Sequence, residues 1–359
     1  MKMKLRSNFR SHFNIGGNEI GKGNPIYIVV ETGVTACGCL ETAKELIYEA
    51  KVAEANAVKF QTIDCEGFMS DKSVKYRYET SSGIQEENMF EMLKKHQFSP
   101  LELIELSRYA KSIGITFYLS VDSLRSVQWA EDANVSAYKI GSWDLRNYPL
   151  LEAVAKTGKP IQIDLGPAIM GEVVQILEFL EKHGATEVML VYCSHASSVE
   201  KINLNSIPYL KEMLGIPVGY SADSRDAKVD VMAVALGAEL MEKRMTMNRD
   251  TVGHHHSKAL DPIEFRKWVK NIRQAELVMG EKALKPSIED LSMKCLYLTS
   301  IVADCNISEG EVITKDMLCA KRPGTGVSPL YMGQMIGKRV NRDIAKNEVI
   351  TWDDWTSFV

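Results

Sequence analysis

The sequence has no apolar run approaching the ~18 residues that a membrane-spanning helix needs. Its N-terminus, Met1-Lys2-Met3-Lys4-Leu5-Arg6, is basic, but no apolar stretch follows, so no secretory signal peptide is expected. The net charge is only -4, which gives no reason to expect nucleic acid or an anionic membrane as partner. Internal repeats and low-complexity tracts are absent. No C-x-x-C pair and no zinc-finger spacing occurs among the 7 cysteines. Cys37 and Cys39 form a C-x-C pair, and Cys65, Cys193, Cys295, Cys305 and Cys319 are scattered. An odd count in a chain of this size fits a reducing cytoplasm, and the C-x-C pair reads as two small residues in a glycine-containing loop.

What the sequence does contain is a regular alternation. Short, nearly continuous apolar runs fall at Tyr27–Val30, Ala57–Phe60, Thr116–Leu119, Ala137–Ile140, Ile161–Ile163, Val188–Tyr192, Pro217–Tyr220 and Glu239–Glu242. Such runs suit parallel strands covered on both faces. Helical patterns lie between them, several ended by a glycine such as Gly114, Gly158, Gly184 or Gly215. Eight strands alternating with helices predict an α/β fold, a (β/α)8 TIM barrel. The stretch from Ile63 to Gln97 reads as an extended active-site loop holding a short helix at Met89–Lys95. The predicted barrel occupies residues 1–282 and a proline-marked linker residues 283–295. Residues 296–359 form a small, mostly β module with runs at Ser300–Ala303, Gly310–Ile313, Gly337–Val340 and Glu348–Thr351.

Barrel active sites lie at the C-terminal ends of the strands. The polar residues there are Glu31, Lys59 and Gln61, Ser120, Lys139 and Ser142, Asp164, His195, Ser221 and Asp223, and Lys243 with Arg244. Lys59, Lys139, Lys243 and Arg244 are expected to converge on one mouth. Cations so gathered repel one another unless an anion joins them, so a ligand carrying phosphate and carboxylate is the economical reading. In the C-terminal module, Lys321-Arg322-Pro323-Gly324-Thr325-Gly326 is a turn suited to presenting one guanidinium, with glycines that allow unusual backbone angles. Val252-Gly253-His254-His255-His256 is a candidate metal segment by composition, although adjacent histidines point in different directions.

Several of these stretches match one family in order. They are Val58-Lys59-Phe60-Gln61, Tyr138-Lys139-Ile140-Gly141-Ser142 with Asn147-Tyr148-Pro149-Leu150-Leu151, and Pro217-Val218-Gly219-Tyr220-Ser221. Ala233–Ala238 with Glu242-Lys243 follows, and then Lys321–Gly326 with Ile336-Gly337-Lys338. From about Gly17 onward the chain resembles an N-acetylneuraminate (sialic acid) synthase with its C-terminal antifreeze-like (SAF) domain. The resemblance implies an enzyme that condenses phosphoenolpyruvate with an N-acetylated amino sugar to a 3-deoxy-2-keto sugar acid, releasing phosphate. It implies a divalent metal (Mn or Mg) and a domain-swapped homodimer in which the SAF arginine reaches the partner's barrel. It implies phosphoenolpyruvate binding by Lys59, Lys139, Ser142, Ser221 and Lys243. Sugar contacts would come from Gln61, Asn147, Tyr148, His256 and Arg322, with Glu31 also at a sugar-facing position. Glu31, Asp144 and Arg244 are the candidate catalytic groups.

The chain departs from the family pattern around the mouth. The Asn-His-Asn set after the first strand is missing from Glu31–Gly38. The two metal-binding histidines are replaced by Asp223 and Arg244, and Ser-Thr-Gly-Met after the fifth strand is Asp164-Leu165-Gly166-Pro167. The family metal is therefore doubtful here, with Asp223 the one possible ligand. Arg244 could supply fixed positive charge to a developing oxyanion instead. The other readings are a related phosphoenolpyruvate or aldol reaction, or a non-catalytic ligand-binding subunit.

Overall fold

The computed structural model describes residues 8–194, 198–222 and 226–356. Asp223 and His195, both singled out above, lie outside the described residues. The chain divides into two compact units, one ending at Gly280 and the other starting at Glu281.

The first unit is the barrel. In chain order it comprises β1 (Tyr27–Gly33), α1 (Leu40–Val52), β2 (Ala57–Gln61), α2 (Pro100–Ile113), β3 (Thr116–Val121), α3 (Leu124–Asp132), β4 (Tyr138–Ile140) and α4 (Tyr148–Ala155). It continues with β5 (Ile161–Asp164), α5 (Met170–Lys182), β6 (Val188–Ser194), α6 (Ser206–Leu214), β7 (Val218–Ala222), α7 (Ala227–Ala235), β8 (Leu240–Arg244) and α8 (Pro262–Met279). The eight strands form one closed barrel in sequential order, with β8 pairing back onto β1. Every pairing is parallel, so each strand is covered by helices outside and packed side chains inside. That is why the strands read as apolar runs.

Local chemistry fixes the helix ends. Ser99 and Glu102 close a capping box at the start of α2, Pro100 occupies its first turn, and Gly114 ends it at φ 74°. Asp261, Glu264 and Pro262 do the same for the start of α8.

Two hairpins escaped the sequence reading. The first pairs His12–Ile15 with Asn18–Gly21. Phe13, Ile15 and Ile20 join the barrel core. Its turn lies against the strand starts: Asn56 Nδ2 donates to Asn18 Oδ1 at 3.1 Å, and Thr116 Oγ1 donates to the Gly16 carbonyl at 3.4 Å. A Cβ on Gly16 would sit 2.0 Å from Thr116 Oγ1, so this turn admits only glycine there. The hairpin therefore stoppers the N-terminal end of the barrel. The second pairs Lys75–Thr80 with Gly83–Asn88, inside the stretch expected to be a loop. It runs beside the segment after β8, where Ser81 Oγ donates to the Asp250 carbonyl at 3.2 Å. The short helix is present at Met89–Lys94.

The second unit has its own core of Ile301, Ile307, Ile313, Val327, Val340, Ile344 and Ile350, among others. Ser300–Ala303 pairs antiparallel with Leu318–Lys321, and Arg339–Val340 with Trp355–Thr356. The runs expected at Gly310–Ile313 and Glu348–Thr351 form isolated bridges at Val312 and Val349 rather than strands, held by backbone hydrogen bonds such as Ile313 N to the Lys338 carbonyl and Ile350 N to the Ile301 carbonyl. Gly324 and Gly326 are needed for close approach rather than unusual φ. A Cβ on Gly326 would lie 2.3 Å from Val349 Cγ1, and one on Gly324 would lie 2.7 Å from the Lys294 carbonyl. Ser300 pins this turn, donating to the Pro323 carbonyl at 2.6 Å and accepting from Gly326 N at 2.8 Å.

Candidate active site

Side chains alternate in and out along a strand, so residues of one parity face the barrel interior. On β1, β2, β4, β5, β7 and β8 that parity brings Glu31, Lys59, Lys139, Gln162 and Asp164, Ser221 and Glu242 toward one another. Register aligns them further: Glu31 is opposite Lys59, Lys139 opposite Gln162, and Ser221 opposite Glu242.

Glu242 is the hub. Its Oε1 accepts from Lys59 Nζ at 3.0 Å and from Lys139 Nζ at 2.6 Å. Its Oε2 accepts from Gln162 Nε2 at 2.7 Å, and the Gln162 side-chain oxygen Oε1 accepts from the Tyr118 hydroxyl at 2.5 Å. Ser221 Oγ stands 3.5 Å from Glu242 Oε1. Lys59 also pairs with Glu31, and Lys139 pairs with Asp164 Oδ2 at 2.6 Å. All these charged groups are buried; Lys59 is 0% exposed and Lys139 4%.

Burial alone would drive the Glu242 carboxyl to hold its proton. Lys139 and Lys59 reverse this and keep it well below the ordinary carboxylate range. Burial likewise disfavours charge on Lys139, but Asp164, Glu242 and Glu31 hold its ammonium charged. Glu31 Oε1 and Asp164 Oδ1 are buried and have no hydrogen-bond partner among the described residues. Two lysines thus sit with incompletely satisfied carboxylates at the strand ends, which is a site arranged to exchange partners.

The remaining candidates distribute unevenly. Ser142 is buried at the start of a short 3-10 turn, Ser142–Asp144, directly after β4. Asp144, in that turn, has its carboxyl pushed up to about 7 by burial and by the nearby Asp122. Gln61 and Glu31 surround Gly33. A Cβ built there would be 3.0 Å from Glu31 Oε1, 3.7 Å from Gln61 Nε2 and 3.7 Å from His255 Nδ1. A bulge between Glu31 and Gly33 produces this geometry, turning the end of β1 into the mouth. Arg244 ends β8 with the same parity as Glu242, in register with Glu31. Burial, and then the Arg244 charge, hold the His255 imidazole neutral.

One expectation is overturned, and three expected sugar contacts already have partners within the protein. Lys243 does not join the mouth. It follows Glu242 on β8 and so points outward, where it pairs with Asp230 Oδ2 of α7 at 2.7 Å; Trp268 Nε1 of α8 donates to the same oxygen at 2.8 Å. Asn147 caps α4, accepting from Leu150 N at 3.3 Å. Tyr148 packs on Phe179 of α5, ring centroids 4.7 Å apart, in the outer helical layer. His256 is 2% exposed, with Nδ1 2.7 Å from Thr246 Oγ1 and Nε2 3.5 Å from Cys37 Sγ, so both ring nitrogens are engaged within the protein.

The three histidines do not all diverge: the rings of His254 and His255 pack together, 3.5 Å between centroids, and only His256 turns away. His254 lies between Tyr76 and Tyr78 of the second hairpin, His255 stacks on His254 while facing Gly33, and His256 turns inward. Among the described residues no three His, Cys, Asp or Glu side chains gather to hold a cation. Asp223, the ligand named from the sequence, lies outside them. Arg322, in the second unit, donates from Nε to the Tyr297 carbonyl at 2.8 Å and lies 5.7 Å from the Tyr297 ring centroid.

Sequence reasoning missed Glu242, Gln162 and Tyr118. The signal for Glu242 was available: it shares parity with Arg244, and Lys243 does not.

The NeuB family profile matches residues 46–284 and the SAF domain profile residues 299–354. An uncharacterized protein of Methanocaldococcus jannaschii is 38% identical over 344 residues, covering 95% of this chain and 97% of its own. The N,N'-diacetyllegionaminic acid synthase of Legionella pneumophila is 30% identical, covering 93% and 95%. The human N-acetylneuraminate-9-phosphate synthase is 31% identical, covering 93% and 94%. Among solved structures, the N-acetylneuraminic acid (sialic acid) synthetase of Leptospira borgpetersenii in complex with citrate superposes with a TM-score of 0.70 at 26% identity. It spans 78% of this chain and 94% of its own. With the NeuB profile matching more than half of the chain and relatives at 30–38% identity covering more than nine-tenths of it, this chain belongs to the NeuB family.

Proposed function

We propose that this protein condenses phosphoenolpyruvate with an amino sugar, forming a 3-deoxy-2-keto sugar acid and inorganic phosphate. The observation that carries the reading is the pair Lys59 and Lys139, two buried ammonium groups joined on one Glu242 oxygen at the C-terminal end of the barrel. The relatives named as synthases of legionaminic and neuraminic acids support the reaction class.

Phosphoenolpyruvate places its phosphate and carboxylate against Lys59, Lys139, Ser142 and Ser221. Its C3 attacks the carbonyl carbon of an open-chain sugar held over Gly33 by Glu31 and Gln61. Charge gathers on the sugar oxygen, and Arg244 stands at the end of β8 to stabilise it. Water adds to C2, and the phosphate leaves with the C–C bond retained. Asp144, whose proton affinity is shifted to near neutrality, is the group suited to moving a proton in that step.

The working form is a domain-swapped homodimer in which Arg322 enters the partner's mouth. Support comes from Leu277, Val278, Leu284 and Ile288, all more than three quarters exposed around the junction of the two units. Phosphate release from phosphoenolpyruvate in the presence of N-acetylmannosamine and a panel of diacetylated amino sugars tests the reaction. Release with one of them is expected. Binding of phosphoenolpyruvate without release from any would favour a ligand-binding subunit.

A further inference from the structure

The barrel interior carries more negative charge than its proposed substrate tolerates. Lys59 and Lys139 face three carboxylates, Glu31, Asp164 and Glu242, and Lys243 has turned away. A phosphate and a carboxylate arriving at these lysines must therefore compete with groups already there.

The three carboxylates are not equally placed to yield. Glu242 accepts from Lys59, Lys139 and Gln162, with Ser221 Oγ 3.5 Å away, and keeps Gln162 and Ser221 whatever the lysines do. Glu31 is paired with Lys59 and borders the hollow at Gly33, and its charge also acts on Lys139 without a direct ion pair. Among the described residues Asp164 has one charged partner, Lys139, at 2.6 Å, and none at its other oxygen, which is buried; the residue is 7% exposed.

The charges felt by Asp164 come from Lys139 on β4, Glu242 on β8 and Lys59 on β2. On the β6 side its register partner is the apolar Val191, with the Cys193 thiol two residues further on. Burial pushes the Asp164 carboxyl above its ordinary value, Lys139 pulls it back, and Glu242 pushes it up again. When Lys139 turns to a substrate anion, the main opposing influence is lost. A buried carboxylate left beside another anion neutralises.

We propose that phosphoenolpyruvate displaces Asp164 from Lys139 and that Asp164 takes up one proton from solvent in the exchange, so that substrate and proton bind together. No bond to carbon or phosphorus changes: the proton moves from water to an Asp164 oxygen, and the resulting hydroxyl donates to a substrate oxygen. A neutral serine or asparagine at this position would bind the same anion without the proton.

This inference rests on the proposed function. The test is calorimetry of phosphoenolpyruvate binding at about pH 8, above the second ionisation near 6 typical of a phosphate monoester. It is run in two buffers of different ionisation enthalpy. The natural protein should take up about one proton per site, and its affinity should fall by up to about tenfold per pH unit as pH rises. Asp164→Asn should bind without uptake and with a flat pH profile, and Asp164→Ser should behave likewise. Binding to the natural protein with no proton uptake, or unchanged uptake in a folded Asp164→Asn, overturns the inference and leaves the proposed function standing. No binding to the natural protein or to either variant overturns both.

Discussion

Glu242 holds two lysine ammonium groups on a single oxygen, so each lysine it loses leaves it more costly to keep ionised. Lys59→Met removes one of those donors and a ligand contact together. It should weaken phosphoenolpyruvate binding by about 1.5–3 kcal/mol, the range for hydrogen bonds to charged groups. Unchanged affinity by titration calorimetry would rule out Lys59 as an anion contact. Asp144 supports a prediction about pH. Its carboxyl is raised from 3.8 to about 7 in the folded protein, so the folded state holds a proton that the unfolded state has released. Stability should accordingly fall as pH rises from near 4 to near 7, with a slope of up to about 1.4 kcal/mol per pH unit for one group. Asp122, raised from 3.8 to about 6, adds a second contribution over the lower part of that window. Urea melts of Asp144→Asn should show a shallower fall than the natural protein; an identical slope would refute this assignment. At this scale the sequence exposed the residues with the strongest types, Lys59, Lys139 and Glu31, because lysines inside apolar strand runs are conspicuous. It hid Gln162 within Ile161–Ile163, where one polar residue barely interrupts the run. It misled at Lys243, because adjacency on a strand was read as convergence although neighbours point to opposite faces.

β8 divides its charges between two environments. Glu242 serves the mouth, while Lys243 is clamped between the barrel and α7 and α8 by Asp230 and Trp268. That outward pair is a fixture of the scaffold. Asp230→Ala leaves the Lys243 ammonium buried without its counterion and should destabilise the barrel by about 3–5 kcal/mol, measured by chemical denaturation. A loss under 1 kcal/mol would mean that Lys243 finds another partner or that water enters. The barrel strands were legible because burial on both faces leaves an unmistakable apolar signature. The hairpin at Lys75–Thr80 and Gly83–Asn88 was not, since Tyr76 and Tyr78 make a brief alternating face on one strand while Gly83–Asn88 carries only Ile84 as an apolar residue to answer it. In the second unit, strands of two to four residues and single bridges make apolar periodicity too brief to place pairing partners.

The apolar side chains from Leu277 to Ile288 give the whole molecule a reason to associate. Light scattering at micromolar concentration should report a dimer. Mixing an Arg322→Ala protein with a Lys59→Met protein should then restore part of the activity each lacks, because a swapped dimer of the two contains one mouth with both intact groups. Strict monomer, or no complementation after confirmed subunit exchange, would set the swap aside.

The N-terminal hairpin has a consequence for traffic. With Gly16 seated against Thr116 and Phe13, Ile15 and Ile20 filling the space beneath the strands, the barrel has a floor. A room with one door imposes a queue. Whatever binds at Lys59 and Lys139, deep on the strands, has to enter before anything resting higher over Gly33, and the last to enter is the first able to leave. Initial-rate kinetics should therefore show compulsory order, with phosphoenolpyruvate leading and the sugar following. Trapping should find bound phosphoenolpyruvate unable to escape once the sugar is seated above it.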